Sequence, residues 1–412
     1  MLGIRNVRES RKRGDPLQAR ELTALYAVLF LTMAGFGIVF PLLPQFVLEL
    51  GAGSMHMALL VSGYAMMQFL LAPVWGNVSD RIGRKPVLVL GLVGLGLSFF
   101  ALGLARNIWT AILVRIVGGV LAAATMPTAQ AYVGDATTPE HRGRAMAHMG
   151  AATNLGFMVG PMLGGTLAVL GVRTAFFATG AVALLTALFT AAVLREPPAE
   201  ARRQRDRRPP ALAAMVQAAA SPHAVLFWLA FVVTFCQSQM FSMLGLYLAE
   251  RFADKGPLAG TAFTVLGVVG ATVQGLLVGT LGQRFGEGRV ILAGLALGAL
   301  GFTGLTAAGR AASILGAVAG VAAGGSLIRP TIASAVSRRA VHGQGLTMGI
   351  QSAFDSLGRV LGPLTAGAVY QAVPRYPFLA ALACYLAVLV LARRRLLALD
   401  QETAAVAQGI KA

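Results

Sequence analysis

Twelve long apolar segments, separated by short gaps that hold most of the charge, constrain this chain more than any other feature. A helix needs roughly 17–25 apolar residues to cross the hydrocarbon core of a bilayer. The chain is 56% hydrophobic and only 12% charged, which leaves too little polar surface for a soluble protein of 412 residues. The sequence therefore predicts an all-α integral membrane protein with twelve transmembrane helices, at about residues 22–46, 57–75, 86–105, 109–133, 143–170, 174–194, 223–249, 259–281, 290–309, 312–336, 346–372 and 376–392.

The basic residues are divided unequally between the two sides of the predicted membrane. If the gap at Gly76–Pro86 is a short cytoplasmic loop, roughly four times as many Lys and Arg residues lie on that side as on the other. This asymmetry predicts a multi-pass protein of the bacterial inner membrane with both termini in the cytoplasm. The net charge of +18 does not indicate nucleic-acid binding, because the bases lie in the gaps and at the chain ends, without a stacking aromatic face.

The two halves of the chain resemble each other at an offset of about 203 residues. GNVSDRIGRKPV, from Gly76, aligns with GTLGQRFGEGRV, from Gly279, and Pro127 aligns with Pro330. Two parallel repeats of six helices place a substrate site at their interface, near the bilayer midplane. The predicted organisation is a cytoplasmic tail (1–21), an N-terminal six-helix bundle (22–194), a cytoplasmic linker (195–222), a C-terminal six-helix bundle (223–392) and a second cytoplasmic tail (393–412).

Several motifs resemble the major facilitator superfamily, over nearly the whole chain. GNVSDRIGRKP is similar to the signature between its second and third spans, LVRIVGG around Arg115 to its fourth-span arginine motif, and GFMVGPMLGG from Gly156 to the fifth-span motif of proton-coupled exporters. YAMMQFLLAPVWGNVSDRIGRKPVLV and GFGIVFPLLP resemble the tetracycline efflux-like branch of the twelve-helix drug/proton antiporter family. The resemblance implies the major facilitator fold of two pseudo-symmetric six-helix bundles. It also implies a secondary active transporter that exports small amphipathic compounds by proton antiport with alternating access.

Two positions depart from the tetracycline efflux branch. Where that branch carries acids in the first and third spans, this sequence has Thr32 and Ser98. The departure speaks against tetracycline itself as the substrate, and against the proton route of that branch.

The charged motif between the second and third spans is the predicted conformational latch. The resemblance implies that its charges bridge to the cytoplasmic start of the eleventh span, near Gly345 and Leu346, and set the balance between outward- and inward-facing states. A carboxylate near a helix N-terminus interacts favourably with the helix dipole. The alternative is that these charges only determine topology. The predicted latch residues are Gly76, Asp80, Arg81, Gly83, Arg84 and Lys85.

Asp355 is the only acid that the sequence places deep within a span. An acid within the membrane costs free energy, so its presence indicates a functional role as the first hypothesis. Arg359 follows Asp355 by one helical turn, and Arg329 lies at a similar depth in the tenth segment. We expect Asp355 to take up and release the coupling proton with an arginine partner; a static Asp355–Arg359 ion pair is the alternative. For Arg115 the resemblance implies a role in proton coupling, and the alternative is an arginine that reaches the membrane interface.

Polar, aromatic and methionine side chains within otherwise apolar spans are candidates for a substrate cavity. They are Tyr64, Gln68, Met126, Gln130, Asn154, Gln237, Gln239 and Phe241. Glycines at intervals of four residues, with a proline beside them, predict close packing between helices. The predicted packing residues are Gly156, Gly160, Pro161, Gly164, Gly358, Gly362 and Pro363.

Several other classes of protein find no support in the sequence. Cys236 and Cys384 lie in apolar segments, which predicts packing roles and no disulfide. The five histidines have no metal-ligand spacing, and no phosphate-binding loop or nucleophile–base pair stands out, so we expect no metal, no cofactor and no enzyme. The expected partners are a small-molecule substrate, protons and membrane lipids, for a monomer that binds no nucleic acid. Two alternatives stay open: a sugar or metabolite exporter or facilitator of the same fold, and a non-transporting membrane receptor.

Overall fold

The computed structural model of the chain describes residues 16–168, 170–197, 224–252, 257–339 and 344–407, and these are almost entirely helical. Most of the predicted linker and the outer parts of both predicted tails lie outside the described residues. A π-helical turn, Val273–Leu277, separates two of the helices. The helices are α1 (Pro16–Glu49), α2 (Ser54–Ile82), α3 (Arg84–Leu104), α4 (Ile108–Ala122), α5 (Thr125–Ala136), α6 (Pro139–Ala168), α7 (Val172–Val193), α8 (Ala224–Phe252), α9 (Pro257–Thr272), α10 (Val278–Phe285), α11 (Glu287–Ala307), α12 (Ala311–Arg338), α13 (Gln344–Tyr370), α14 (Tyr376–Leu391) and α15 (Arg393–Ala407).

Many of these helices are long and apolar enough to cross a membrane. Within the described residues nine helical segments meet that description, or ten if α14 and α15, which are bent by 51°, count as one. One of the nine joins α4 to α5, and another joins α9, the π-helical turn and α10. The helices α6 and α13 coincide with predicted spans but are not among the nine. The all-α membrane fold is confirmed, and the number of twelve spans stays a prediction.

One expectation about the joints between helices is wrong. The segment Gly76–Pro86 is not a loop, because α2 continues to Ile82 and α3 begins at Arg84. Only Gly83 lies outside the two helices, with a φ angle of 114°. A residue with a Cβ adopts such an angle at a cost, whereas glycine does not. The chain is therefore helical on both sides of Gly83, and Gly83 is the single residue at which the backbone leaves the helical conformation.

Helix α15 lies in the predicted C-terminal tail, where no helix was expected from the sequence. It follows α14 after a bend at Ala392 and includes two buried leucines, Leu396 and Leu399. Burial of these side chains supplies the packing that a short helix needs, since isolated helices of about 15 residues are marginal in water.

Contacts between residues divide the chain into two compact units that do not coincide with its two halves. Among the described residues, unit 1 comprises 16–39, 67–160 and 173–197. Unit 2 comprises 40–66, 161–168, 170–172, 224–252, 257–339 and 344–407. Helices α1, α2 and α6 therefore contribute residues to both units. The predicted domain boundaries stay a prediction, because this division follows packing and cuts through three helices.

In unit 1, helix α6 packs on α1 through glycine. Gly156 faces the main-chain oxygen of Phe30, and Gly160 faces that of Ala34, so closely that neither position has room for a Cβ atom. Such close approach of backbones is the contribution of small residues to helix packing in membranes. Further along α6, Pro161 lies within the helix and Gly164 is buried.

In unit 2, helix α13 packs on α8 in the same way. Gly358 faces the main-chain oxygen of Phe231, and Gly362 faces that of Phe235, where a Cβ at Gly362 would lie only 2.6 Å from the oxygen. Pro363 lies within α13, directly after this contact. The equivalent glycines of the two sequence repeats therefore make equivalent helix contacts.

Unit 2 also contains the end of α1, the start of α2 and the end of α6, packed on later helices. Ser62 of α2 donates a hydrogen bond to the main-chain oxygen of Val360 at 2.7 Å. Ser54 of α2 donates to the main-chain oxygen of Gly367 at 3.1 Å. These hydroxyl groups tie α2 directly to the backbone of α13, where hydrocarbon offers no competing water.

The contact at Gly156 predicts a difference between two alanine substitutions in α6. Gly156→Ala is expected to lower the stability by about 1–3 kcal/mol, because its methyl group would overlap the α1 backbone. Gly150→Ala, in the same helix, has open space around its Cβ and is expected to be neutral or to stabilise by up to about 1 kcal/mol. The apparent melting temperatures of the purified variants in detergent check this. Equal melting temperatures would contradict the packing role of Gly156.

Candidate functional site

Arg84, at the start of α3, has a fully buried side chain that is surrounded by acids. Its Nε lies 2.8 Å from Oδ2 of Asp135, at the end of α5, and its Nη2 lies 2.5 Å from Oδ1 of Asp80. Its Nη1 donates a hydrogen bond to Oγ of Ser79 at 2.6 Å. A buried charge is tolerable only when it is paired and hydrogen-bonded. The three groups satisfy this requirement and join α2, α3 and α5.

The carboxylate of Glu196 caps the start of α3. It accepts hydrogen bonds from the main-chain N–H groups of Arg84 at 2.6 Å and Lys85 at 2.8 Å. The first N–H groups of a helix have no partner within the helix and attract negative charge. A Cβ at Gly83 would lie 2.9 Å from Oε1 of Glu196, so a side chain there would displace the capping carboxylate in addition to straining the φ angle.

A matching cluster lies at the start of α11 in unit 2. Glu287 is buried. Its Oε1 lies 3.2 Å from Nη2 of Arg338, and its Oε2 lies 3.0 Å from Nη1 of Arg339. Gly286 precedes it with a φ angle of 90°. Asp400 of α15 caps α11 by accepting hydrogen bonds from the N–H groups of Gly288 at 2.7 Å and Arg289 at 3.1 Å.

The two clusters have a similar arrangement, in which the capping group is a carboxylate in both but the charges of the ion pair are exchanged. In the sequence repeat Arg84 corresponds to Glu287, and Asp135 corresponds to Arg338, each at an offset of about 203 residues. The ion pair between the start of one helix and the end of another is therefore kept, with cation and anion exchanged. This pair was not predicted from the sequence, although aligning GRKP with GEGR places Arg84 opposite Glu287.

The other predicted latch residues have lesser contacts within unit 1. Arg81 is exposed, and Gly76 has open space around its Cβ position. The side chain of Lys85 is half-buried. The side chains at Gly345 and Leu346, to which the latch was expected to bridge, lie outside the described residues, so this bridge stays a prediction.

Asp355 lies in α13 and is held by a hydroxyl group. Oγ1 of Thr234, in α8, donates a hydrogen bond to Oδ1 of Asp355 at 2.6 Å. In the part of the chain that the structure describes, no ion pair within 4 Å joins Asp355 to Arg359 or to Arg329. Arg359 nevertheless interacts electrostatically with both, attracted by Asp355 and repelled by Arg329. The described contact of Asp355 is therefore with a neutral hydroxyl group.

The intramembrane arginines differ in their surroundings. The side chains of Arg329 and Arg359 are exposed, although protein packs densely around Arg359. Arg115 is only 3% exposed, within α4 of unit 1. The buried charge of Arg115 therefore requires compensation by protein groups.

The candidate cavity residues of unit 1 are mostly accessible. Gln130 and Asn154 are exposed, and Gln68 and Met126 are half-buried. An amide in an accessible position within a span can bind a ligand or a neighbouring helix equally well.

The candidate cavity residues of unit 2 are more enclosed. Tyr64 is buried, and Gln237 is half-buried against Gly325 of α12. The ring of Phe241 stacks on that of Phe263, with centroids 6.0 Å apart. Gln239 is 2% exposed, and its Oε1 has no hydrogen-bond partner among the described residues. A buried amide oxygen without a partner is uncommon in native proteins.

The cap at α11 predicts that Asp400 anchors α15. Asp400→Ala is expected to cost about 0.5–2 kcal/mol and to raise hydrogen exchange at the amides of Gly288 and Arg289, because both lose their acceptor. Gln401→Ala, at the exposed neighbouring position, is the matched control and should change neither quantity. Hydrogen–deuterium exchange with mass spectrometry measures the change in protection, and thermal unfolding measures the change in stability. Unchanged protection at the start of α11 in Asp400→Ala would refute the anchor.

Known proteins of one family are similar to this chain over most of its length. A sequence profile of the Major Facilitator Superfamily matches residues 25–277 and 255–409. Multidrug resistance protein 2 of Bacillus subtilis (strain 168) is 32% identical over 360 residues, which cover 86% of this chain and 90% of that protein. Quinolone resistance protein NorA of Staphylococcus aureus (strain N315) is 27% identical over 372 residues, covering 90% of this chain and 95% of that protein.

Solved transporter structures share the fold. The human organic anion transporter MFSD10 (TETRAN) superposes with a TM-score of 0.68 at 24% identity, covering 90% of this chain and 98% of that chain. A bacterial homologue of the human lysosomal transporter Spinster superposes with a TM-score of 0.72 at 18% identity, covering 94% of this chain and 99% of that chain. The expected fold, and the expectation of a transporter and not an enzyme, are confirmed. The chain belongs to the Major Facilitator Superfamily.

Proposed function

We propose that this protein exports small amphipathic compounds from a bacterial cell by proton antiport, with alternating access. The observation that carries the proposal is the similarity, over most of both chains, to relatives named for multidrug and quinolone resistance. Asp355 in the predicted eleventh span adds support, because an acid at membrane depth can take up and release a coupling proton. The protein is therefore an efflux transporter, with a small-molecule substrate and protons as its partners.

Asp355 is the residue proposed to exchange the proton. Its bond to Thr234 suits this task, because a hydroxyl group can donate to a carboxylate and accept from a carboxylic acid. Arg329 and Arg359 are close enough to influence its charge without pairing with it within 4 Å in the described residues. Arg115, in unit 1, is proposed to take part in coupling as the family motif implies.

The substrate is proposed to contact polar, aromatic and methionine side chains within the predicted spans. A ligand held by apolar area and a few hydrogen bonds matches such a mixture of residues. Met126 and Phe241 would supply adaptable apolar surface, and the amides would supply hydrogen bonds. The residues proposed for the cavity are Tyr64, Gln68, Met126, Gln130, Asn154, Gln237, Gln239 and Phe241.

The latch is proposed to act through the buried pairs of Arg84. A conformational change that separates the end of α5 from the start of α3 has to break the ion pair between Arg84 and Asp135. Breaking a buried pair is costly, which gives the cluster an influence on the balance of states. Glycine contacts such as those at Gly160 and Gly362 are proposed to guide the same motion through packing.

The proposed setting is the bacterial inner membrane, with both termini in the cytoplasm. The support is the excess of bases on one side of the sequence, since Lys and Arg resist translocation. The protein is proposed to act as a monomer in contact with anionic lipids.

Transport by the purified protein in vesicles with an acidic lumen tests the proposal. A cationic and a neutral lipophilic dye are expected to accumulate while the imposed pH gradient lasts, and to leave when it is collapsed. Dye accumulation that is unchanged when the pH gradient is collapsed, or no movement of either dye, would overturn proton-driven export.

Asp355→Asn tests the proton site within the same assay. The variant is expected to lose accumulation against a gradient, because its amide cannot exchange a proton, while exchange of dye between the two sides at equal pH continues. Asp355→Glu retains a carboxyl group and is expected to keep part of the accumulation. Proton-driven accumulation at the full rate in Asp355→Asn would rule out this residue as the coupling site.

A further inference from the structure

A groove of about 540 Å³ lies between the start of α1 and the end of α7 in unit 1. Small and apolar side chains make up most of its lining, and Arg20 is the one charged side chain among the lining residues that the structure describes. The lining residues are Arg20, Thr23, Ala24, Ala27, Phe189 and Val193. Between Arg20 and Ala27 the groove follows α1 for about 10 Å. Its dimensions and polarity suit a chain of methylene groups with a polar end.

Positive charge is concentrated where the groove ends. Arg20 is exposed, and Arg195, two residues after the end of α7, has a side chain that is 73% exposed. Oε1 of Glu21 lies 3.9 Å from Nε of Arg195, which is a long and weak ion pair. The carboxylate of Glu196 accepts hydrogen bonds from the start of α3. Two exposed arginines are therefore available at the polar end of the groove to attract an anionic group.

The apolar end of the groove continues into the surface that a membrane covers. On α7, Leu185 and Leu188 are 65% and 68% exposed, and Phe189 of the groove follows them directly. Exposed leucines on a spanning helix contact acyl chains. A lipid can therefore enter the groove sideways from the bilayer.

We propose that this groove binds one anionic glycerophospholipid. Its phosphate would lie between Arg20 and Arg195, and one acyl chain would lie along Ala24, Ala27 and Phe189. Basic pockets between helices on the cytoplasmic side are suited to anionic headgroups, and arginine binds phosphate in two-point geometry. The assignment to the inner leaflet rests on the orientation given under the proposed function. The lipid would bridge the start of α1 and the end of α7.

Native mass spectrometry of the purified full-length protein, titrated with phosphatidylglycerol or phosphatidylcholine of identical acyl chains, tests the proposal. One phosphatidylglycerol is expected to be retained at least about tenfold more tightly than phosphatidylcholine, because the choline cation of phosphatidylcholine offsets the phosphate charge that the two arginines attract. The double variant Arg20→Gln with Arg195→Gln is expected to abolish this preference. Arg394→Gln removes an exposed arginine from α15 and is the matched control.

A variant that fills the groove separates the acyl chain from the headgroup. Ala27→Trp keeps both arginines and places a large ring at an exposed position, so it is expected to weaken phosphatidylglycerol retention by about tenfold without loss of folding. Competition by soluble glycerol phosphate at the same concentration would show that the site takes a phosphate group only, and would overturn the lipid assignment.

Equal retention of the two lipids by the unmodified protein would overturn the proposal, and so would unchanged retention in both variants. The unmodified protein is sufficient for the first comparison, so a variant that fails to fold does not leave the proposal untested. Binding is measured without transport, and failure of proton-driven export would therefore leave this result standing.

Discussion

The absence of water from the hydrocarbon core is the constraint on which the rest of this structure depends. Each main-chain N–H and C=O group within the membrane must be bonded inside the protein, which selects helices. It also removes the usual hydrophobic driving force between helices, so that they associate through close packing and a few hydrogen bonds. Gly156 of α6 packs on α1, and Gly362 of α13 packs on α8. Ser62 of α2 donates a hydrogen bond to the backbone of α13.

The same constraint favours charge at the ends of helices, where it can be paired. Arg84 and Glu287 occupy equivalent places after a glycine with positive φ, and each is neutralised by side chains from another helix end. Geometry requires that the two partners have opposite charges but does not specify which partner is positive. The exchange of signs between the repeats shows that this requirement, and not the identity of either residue, is what both halves share.

The sequence predicted the helices well, because long apolar segments leave a chain in lipid few other choices. The four-residue repeat of glycine also indicated close helix packing, because glycines at that spacing form a smooth stripe on one face of a helix. The loop at Gly76 was wrong because charge was interpreted as a break in the helix, whereas the backbone reverses only at Gly83. The caps by Glu196 and Asp400 were not predictable, because each joins residues more than 100 positions apart through contacts that only the fold creates.

The surroundings of Asp355 were the part of the candidate site that spacing predicted least well. One helical turn to Arg359 left an ion pair as the alternative to proton exchange, whereas the described contact of Oδ1 is with Thr234 of a different helix. The difference matters for the proposed proton exchange. An arginine at ion-pair distance would hold the carboxylate in one state, whereas a hydroxyl group can reverse its hydrogen bond and remain bonded to both. Two arginines at a distance can then bias the exchange without preventing it, which makes the arrangement better suited to uptake and release of a proton than to a permanent ion pair.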